Sequence, residues 1–382
     1  MTSKERIKLA LAHKEPDRIP VDIDSCGVTG IHWIALKKYI EKYYGYSPKL
    51  SIWHIKEQLA TVPDDVRKEW RIDTKRVYSS APGYWNAKIM KENGYETFTD
   101  EWGIKWSKPL KGGLYFDMTE HPLRDIDTIE GLKSYKWPDP ADPKRFEKLY
   151  RLNFDSPEYS NYGLVASSFM SGMFETALWI RGFENFFIDL SLNPRFAEYI
   201  LDKMLEMEIA YWDKMLEITG EKVDIILYSD DVATQKGLMI SPSMYKRFLF
   251  PRRKRLYEFI KSKANVKILY HSCGAVMKLV PFFLEEGIDI LNPLQISATG
   301  MDLVQLKKEF GDHLAFWGGG VDTQRILPYG TPKEVEEHVK RQIDILAPGG
   351  GFVFSTVHCI QPDVPPENIR AMFDAIEKYG DY

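Results

Sequence analysis

A histidine and a cysteine stand two residues apart in Tyr270-His271-Ser272-Cys273-Gly274, at the end of the apolar run Val266-Lys267-Ile268-Leu269. Successive side chains of a strand point to opposite faces, so His271 and Cys273 share one face and Ser272 takes the other. An imidazole nitrogen and a thiolate on one face suit zinc, which keeps an open position when it is catalytic. A buried cysteine beside a hydrogen-bonded histidine would leave the same pattern. A second apolar run, Gly351-Phe352-Val353-Phe354-Ser355-Thr356-Val357, ends in His358-Cys359. The chain has only three cysteines, and two of them lie at these two strand ends. Zinc bound by His271, Cys273 and one of His358 or Cys359 is the expectation. Neighbours on a strand face opposite ways, so only one of that last pair points at the metal.

Carboxylates accompany these ligand types. Asp230 and Asp231 form a pair of acids at the end of Val223–Ser229, where mutual repulsion raises one pKa unless a partner intervenes. One of them serves as a general acid or substrate anchor, or else caps a loop or helix. Glu175, in Ser171-Gly172-Met173-Phe174-Glu175, follows a strand and a glycine turn. It offers a fourth metal ligand or a hydrogen bond to substrate, unless it only complements a helix dipole.

These residues need strands that end together. After about residue 155, strand candidates Tyr162–Ser168, Val223–Ser229, Val266–Cys273, Ile288–Leu294, Leu314–Gly318 and Gly351–Val357 alternate with helical patterns. Asn193-Pro194, Ser241-Pro242 and Thr331-Pro332-Lys333-Glu334 each place a capping residue before proline at the first helical position. Apolar strands alternating with capped helices indicate a parallel sheet. With Ile19–Ile23 and a segment near Asp73–Tyr78 they make a single α/β unit over residues 1–382, a (β/α)8 TIM barrel, whose strand C-termini carry the chemistry. Met1–Leu11 reads as a helix with the capping box Thr2-x-x-Glu5, packed outside the main body. Residues 80–155 break the alternation with glycine-punctuated, aromatic segments that read as hairpins, a β-rich insertion near the C-terminal mouth. Trp85, Trp102 and Trp106 there fill the hairpin core or line a pocket for an aromatic substrate.

Composition narrows the field. With 51 Lys+Arg against 55 Asp+Glu the net charge is −4, which gives no electrostatic case for nucleic acid or an anionic membrane. The run Arg252-Arg253-Lys254-Arg255 lies in an amphipathic pattern and reads as a solvated helix face. No long apolar stretch suggests a membrane span, and the charged N-terminus is unlike a signal sequence. Three widely spaced cysteines fit a reducing, cytoplasmic setting. Neither Gly318-Gly319-Gly320 nor Gly349-Gly350-Gly351 has phosphate-loop spacing.

The order Ile19-Pro20-Val21, Asp230-Asp231, Ser241-Pro242, His271-Ser272-Cys273-Gly274, Gly318-Gly319-Gly320-Val321-Asp322 and His358-Cys359-Ile360-Gln361-Pro362 through Asn368 resembles the uroporphyrinogen decarboxylase superfamily. That resemblance implies one (β/α)8 barrel and either metal-free porphyrinogen decarboxylation or zinc-dependent methyl transfer with corrinoid proteins. The decarboxylase signature places paired arginines after the first strand, and Asp22–Gly30 has none. The His271-x-Cys273-Gly274 segment resembles instead the zinc motif of the methyltransferases. In the coenzyme M methyltransferases the third ligand is the cysteine of a Cys-Gly-Ile-x-Pro pattern. Aligning Ile360 and Pro362 with it puts His358 at the ligand position and Cys359 where glycine usually sits. The resemblance implies zinc, a corrinoid (cobalamin) carried by a partner protein, and a small-molecule methyl donor, closest to enzymes that demethylate methoxylated aromatics. The reverse flow, from methylcorrinoid to a thiol, is the runner-up.

Overall fold

The computed structural model describes residues 1–382. Seven parallel strands form one curled sheet in the order Phe352–Val353, Ala315–Trp317, Ile290–Asn292, Lys267–His271, Ile225–Ser229, Gly163–Ser167 and Thr74–Val77. The remaining gap is filled by Pro20–Asp22. Val21 bridges Phe354 in parallel, while the Asp73 N–H donates to the Val21 carbonyl at 2.8 Å. The circle is thus closed as a (β/α)8 barrel, with Ile19–Ile23 reduced to a single bridge rather than a full strand.

Alternation along the strands divides the core in two. Val165, Ile225, Leu227, Leu269, Ile290, Ala315, Trp317 and Val353 pack with one another as one cluster. Their neighbours Leu164, Ile226, Ile268, Tyr270, Leu291 and Phe316 belong to the larger core that includes the surrounding helices. The first group is the barrel interior, and Ile7 and Leu11 are part of it. The Ser3–Leu11 helix therefore does not pack outside the main body as its sequence suggested. It plugs the N-terminal end of the barrel, where the open ring leaves apolar side chains that need cover. Ile7 lies so close to Gly163 that a Cβ there would sit 3.0 Å from it.

Of the four helix starts whose capping residues the sequence marks, three follow that chemistry. Ser241 Oγ accepts the Met244 N–H, and Thr2 and Thr331 both close capping boxes. Asn193 makes no side-chain cap. It already terminates the Phe183–Leu192 helix, its N–H donating to the Asp189 carbonyl, so one residue serves two helices.

Between the Thr74–Val77 and Gly163–Ser167 strands the chain builds a four-stranded antiparallel sheet from Met90–Glu92, Tyr95–Thr99, Lys105–Pro109 and Asp117–Glu120. Phe98, Trp102, Trp106 and Phe116 of this segment are buried in the same continuous core as the barrel helices. No helix is long and apolar enough to cross a membrane.

Candidate metal centre

The ligand atoms of His271, Cys273 and His358 lie within 4.8 Å of one another. His271 ends the Lys267–His271 strand on its inner face, and Cys273 follows two residues on, its Sγ 3.6 Å from His271 Nε2. Ser272 points the other way and accepts the Val232 N–H at 3.1 Å. His358 comes from the loop after Phe352–Val353, its ring centroid 5.6 Å from that of His271. Cys359 turns away from the cluster: its thiol donates to the Gly27 carbonyl at 3.0 Å. Of the two alternatives at that loop, the backbone brings the imidazole to the cluster and excludes the thiol.

One neighbour settles the tautomer of His271. Asn292 Nδ2 donates to the Trp317 carbonyl at 2.8 Å, which leaves Asn292 Oδ1 as an acceptor 2.5 Å from His271 Nδ1. Nδ1 must therefore carry the proton, and the Nε2 lone pair faces Cys273, the arrangement a metal-binding histidine needs. Burial lowers the pKa of His271 to about 4 against the help of Asn292. Burial, then the adjacent His271, holds His358 at about 4. Both imidazoles are neutral at pH 7 and able to ligate.

Acidic groups outnumber cations here, with Lys56 acting on Glu57. Asp231 Oδ1 accepts the Cys273 N–H at 2.7 Å and lies 3.8 Å from His271 Nε2. Glu175 and Glu57 line the same cavity. Burial, then Asp231, pushes the Glu175 carboxyl well above its ordinary range, and burial pushes Glu57 up to about 7. Burial, then Asp231, likewise raises the Cys273 thiol. A bound divalent cation reverses that logic, favouring thiolate and carboxylate together. Two neutral imidazoles, a thiol and surplus carboxylates fit zinc.

Asp230 makes the helix-capping contacts that its place at the strand end allows. Its carboxylate pairs with Arg253 Nη2 at 2.6 Å, with both side chains 0% exposed. It also accepts the N–H groups of Phe174 and Glu175 at 3.3 and 2.8 Å, at the start of the Met173–Arg181 helix. Gly172, at φ +85°, makes this approach feasible, since a Cβ there would sit 2.3 Å from the Ser229 carbonyl. Asp230 thus positions Glu175. Arg253 corrects the reading of Arg252–Arg255 as a solvated face: the helix pattern turns this one cation inward, onto the partner that separates Asp230 from Asp231.

His271 and His358 of the cluster line a cavity of about 620 Å³. Its walls include Trp85, Trp102 and Trp106 of the insertion with Trp53, Phe169 and Trp179. Trp102 stacks on Phe169 at 5.8 Å, and Lys56 Nζ sits 4.0 Å over the Trp106 ring. Cys273 faces a second cavity of about 410 Å³, which His358 also borders and which is lined by Gln235, Gln295, Gln324 and Gln361 with no Asp, Glu, Lys or Arg.

A family profile for uroporphyrinogen decarboxylase (URO-D) matches residues 120–379. The chain belongs to the uroporphyrinogen decarboxylase family. Within that family it is related both to corrinoid-linked methyltransferases and to decarboxylases. It is 30% identical over 185 residues to the methylcobamide:CoM methyltransferase MtaA of Methanosarcina barkeri, covering 48% of this chain and 49% of that protein. The chain thus matches about half the length of that relative. It is 25% identical over 267 residues to the methylcobamide:CoM methyltransferase MtbA of Methanosarcina mazei, covering 68% and 70%. With the uroporphyrinogen decarboxylase of Pseudoalteromonas atlantica it shares 22% identity over 283 residues, covering 70% and 74%. The fold is that of a solved methyltransferase from Methanosarcina mazei, with a TM-score of 0.63 at 19% identity over 99% of each chain.

Proposed function

We propose that this protein transfers a methyl group from an O-methyl donor, a methoxylated aromatic, to the cobalt of a corrinoid carried by a partner protein. His271, Cys273 and His358 would hold zinc. The observation that carries this reading is the His/Cys/His cluster whose two imidazoles line a tryptophan-walled cavity. An alkyl aryl ether releases methyl only if the departing phenolate oxygen, of pKa near ~10, is stabilised as its charge develops. When bound, zinc supplies that Lewis acidity.

The chain's own residues do the rest. Asn292 keeps the proton on His271 Nδ1 and so presents Nε2. Trp53, Trp102, Trp106 and Phe169 offer flat apolar surface to an aromatic ring and keep bulk water from the reacting oxygen. Glu175 and Asp231, beside the cluster, are placed to hold or pass a proton to the leaving oxygen. The uncharged glutamine-lined cavity gives an amide-fringed corrin a polar surface to pack against.

A second reading, methylation of a thiol by the methylcorrinoid, draws support from the names of the coenzyme M relatives. The two directions separate in one experiment. Zinc-replete protein is mixed with cob(I)alamin and 2-methoxyphenol, and methylcobalamin is followed by absorbance with release of catechol. Turnover that is undiminished after chelation defeats the proposal, and methyl loss from methylcobalamin to a thiol without any O-demethylation favours the second reading.

A further inference from the structure

The aromatic cavity has a polar side whose chemistry the reaction above leaves unused. Ser168, just after the Gly163–Ser167 strand, lines it. Its Oγ lies 2.9 Å from both carboxyl oxygens of Glu208, which projects from the Pro194–Thr219 helix and is 0% exposed. Ser168 Oγ is hydrogen-bonded to both oxygens, the Trp212 indole N–H is directed at the same carboxyl, and no cation touches Glu208. The groups packed around it are the indole of Trp212, the phenols of Tyr211 and Tyr228, and Asp230, whose charge is already committed to Arg253. Burial pushes the Glu208 carboxyl up to about 8.

A neutral carboxyl carries one O–H, and here that hydrogen has a single acceptor, Ser168 Oγ. Ser168 Oγ also accepts the Met170 N–H at 3.4 Å; with both lone pairs engaged and no carboxylate charge drawing its proton, the hydroxyl has its own hydrogen to turn from Glu208 toward the cavity. A second orphan lies nearby in the same lining: Thr176 Oγ1 is buried without any partner. Buried hydroxyls without partners are costly unless an occupant satisfies them.

We propose that Ser168 is a specificity-determining hydrogen-bond donor, oriented by the positioning residue Glu208, that selects aromatic methyl donors bearing a second oxygen acceptor on the ring. This rests on the reading that the cavity takes an aromatic methyl donor. Methoxybenzene lacks the acceptor, whereas 1,2-dimethoxybenzene supplies it without a titrating group of its own.

Equilibrium binding of these two compounds to the full-length protein, followed by tryptophan fluorescence, tests the assignment without any corrinoid. The wild type should bind 1,2-dimethoxybenzene about tenfold more tightly than methoxybenzene near pH 6.5, and S168A should reduce that ratio to about twofold or less. Raising the pH to about 9.5 should erase the wild-type preference, because an ionised Glu208 takes the Ser168 proton for itself. E208Q keeps a neutral donor beside Ser168 and should keep the preference at both pH values. Melting temperatures establish that each variant is folded. A preference that survives in S168A, its absence in the wild type, or the same pH loss in E208Q overturns the proposal. Binding without discrimination alongside active O-demethylation would refute Ser168 selection and leave the reaction standing. Discrimination without any methyl transfer would do the reverse, and failure of both compounds to bind would remove both.

Discussion

Replacing Asn292 by Ala isolates the smallest part of the proposed metal centre that does not touch the metal. Asn292 is buried and makes two bonds that pull in opposite directions, accepting from His271 Nδ1 at 2.5 Å and donating to the Trp317 carbonyl at 2.8 Å. Without Oδ1, the His271 proton has no acceptor holding it on Nδ1, so the ring is free to present a protonated Nε2 or to rotate. Loss of such an outer hydrogen bond typically weakens metal affinity about 10–100-fold, or about 1.4–2.7 kcal/mol at ~1.36 kcal/mol per decade. Loss of the Asn292 donor to the buried Trp317 carbonyl adds a separate stability cost of about 1–3 kcal/mol. Competition against a chromophoric zinc chelator reads the first quantity, and urea unfolding of the metal-free protein reads the second. N292D retains the acceptor and should hold zinc within about threefold of wild type while losing stability. Unchanged zinc affinity in a folded N292A protein would refute the role assigned to Asn292 and, with it, the argument that the tautomer of His271 is fixed for a metal.

Protein purified without chelator should contain about one zinc per chain, with C273A and H358A nearly empty and C359A close to full by elemental analysis; equal loss in C359A would reverse the choice made at that loop. R253M strands the buried Asp230 carboxylate and should cost about 3–5 kcal/mol in chemical denaturation, whereas R253M combined with D230N should cost less than the single change. If the two are additive, the pair is not the coupled element its geometry indicates. His338 is held at about 4 by burial, then by Arg341, against an ordinary 6.5. Because the unfolded state then binds the proton first, this group removes stability as pH falls from 6.5 toward 4 and adds no further slope below that. H338Q should flatten the decline in urea midpoint over that window, and an unchanged slope would count against a buried neutral ring.

The barrel and the His271/Cys273 pair were legible because both depend on local rules: capped helices between apolar runs, and the two-residue repeat of a strand. The same repeat correctly allowed only one of His358 and Cys359 at the cluster, although the chain there is an irregular loop. What stayed hidden depends on contacts across the fold. Arg253 looked solvated because its helix is charged on most sides, and only Asp230, 2.6 Å away at the end of a strand, explains its burial. Asn292 did leave a trace, the one polar residue on the inward face (Ile288, Ile290, Asn292) of the run Ile288-Asp289-Ile290-Leu291-Asn292. Glu57 left none, since the short hairpin of Ile52–His54 and Leu59–Ala60 that carries it has no periodicity to read. The Ser3–Leu11 helix was recognisable as a helix, but its place as a plug follows from ring closure alone.

That plug has a kinetic consequence. With Ile7 and Leu11 sealing one end of the barrel, traffic reaches the cluster from the opposite end, where the tryptophan-walled and the glutamine-lined cavities both meet it. A small molecule arriving after a large protein has seated itself there would find the entrance obstructed, and one already inside would be detained. Binding would then follow a compulsory sequence, the small molecule first and the partner second, with departure of the spent molecule waiting on separation of the two proteins. Under steady-state conditions an excess of partner would slow turnover rather than saturate it, and the overall rate would track how fast the two proteins come apart.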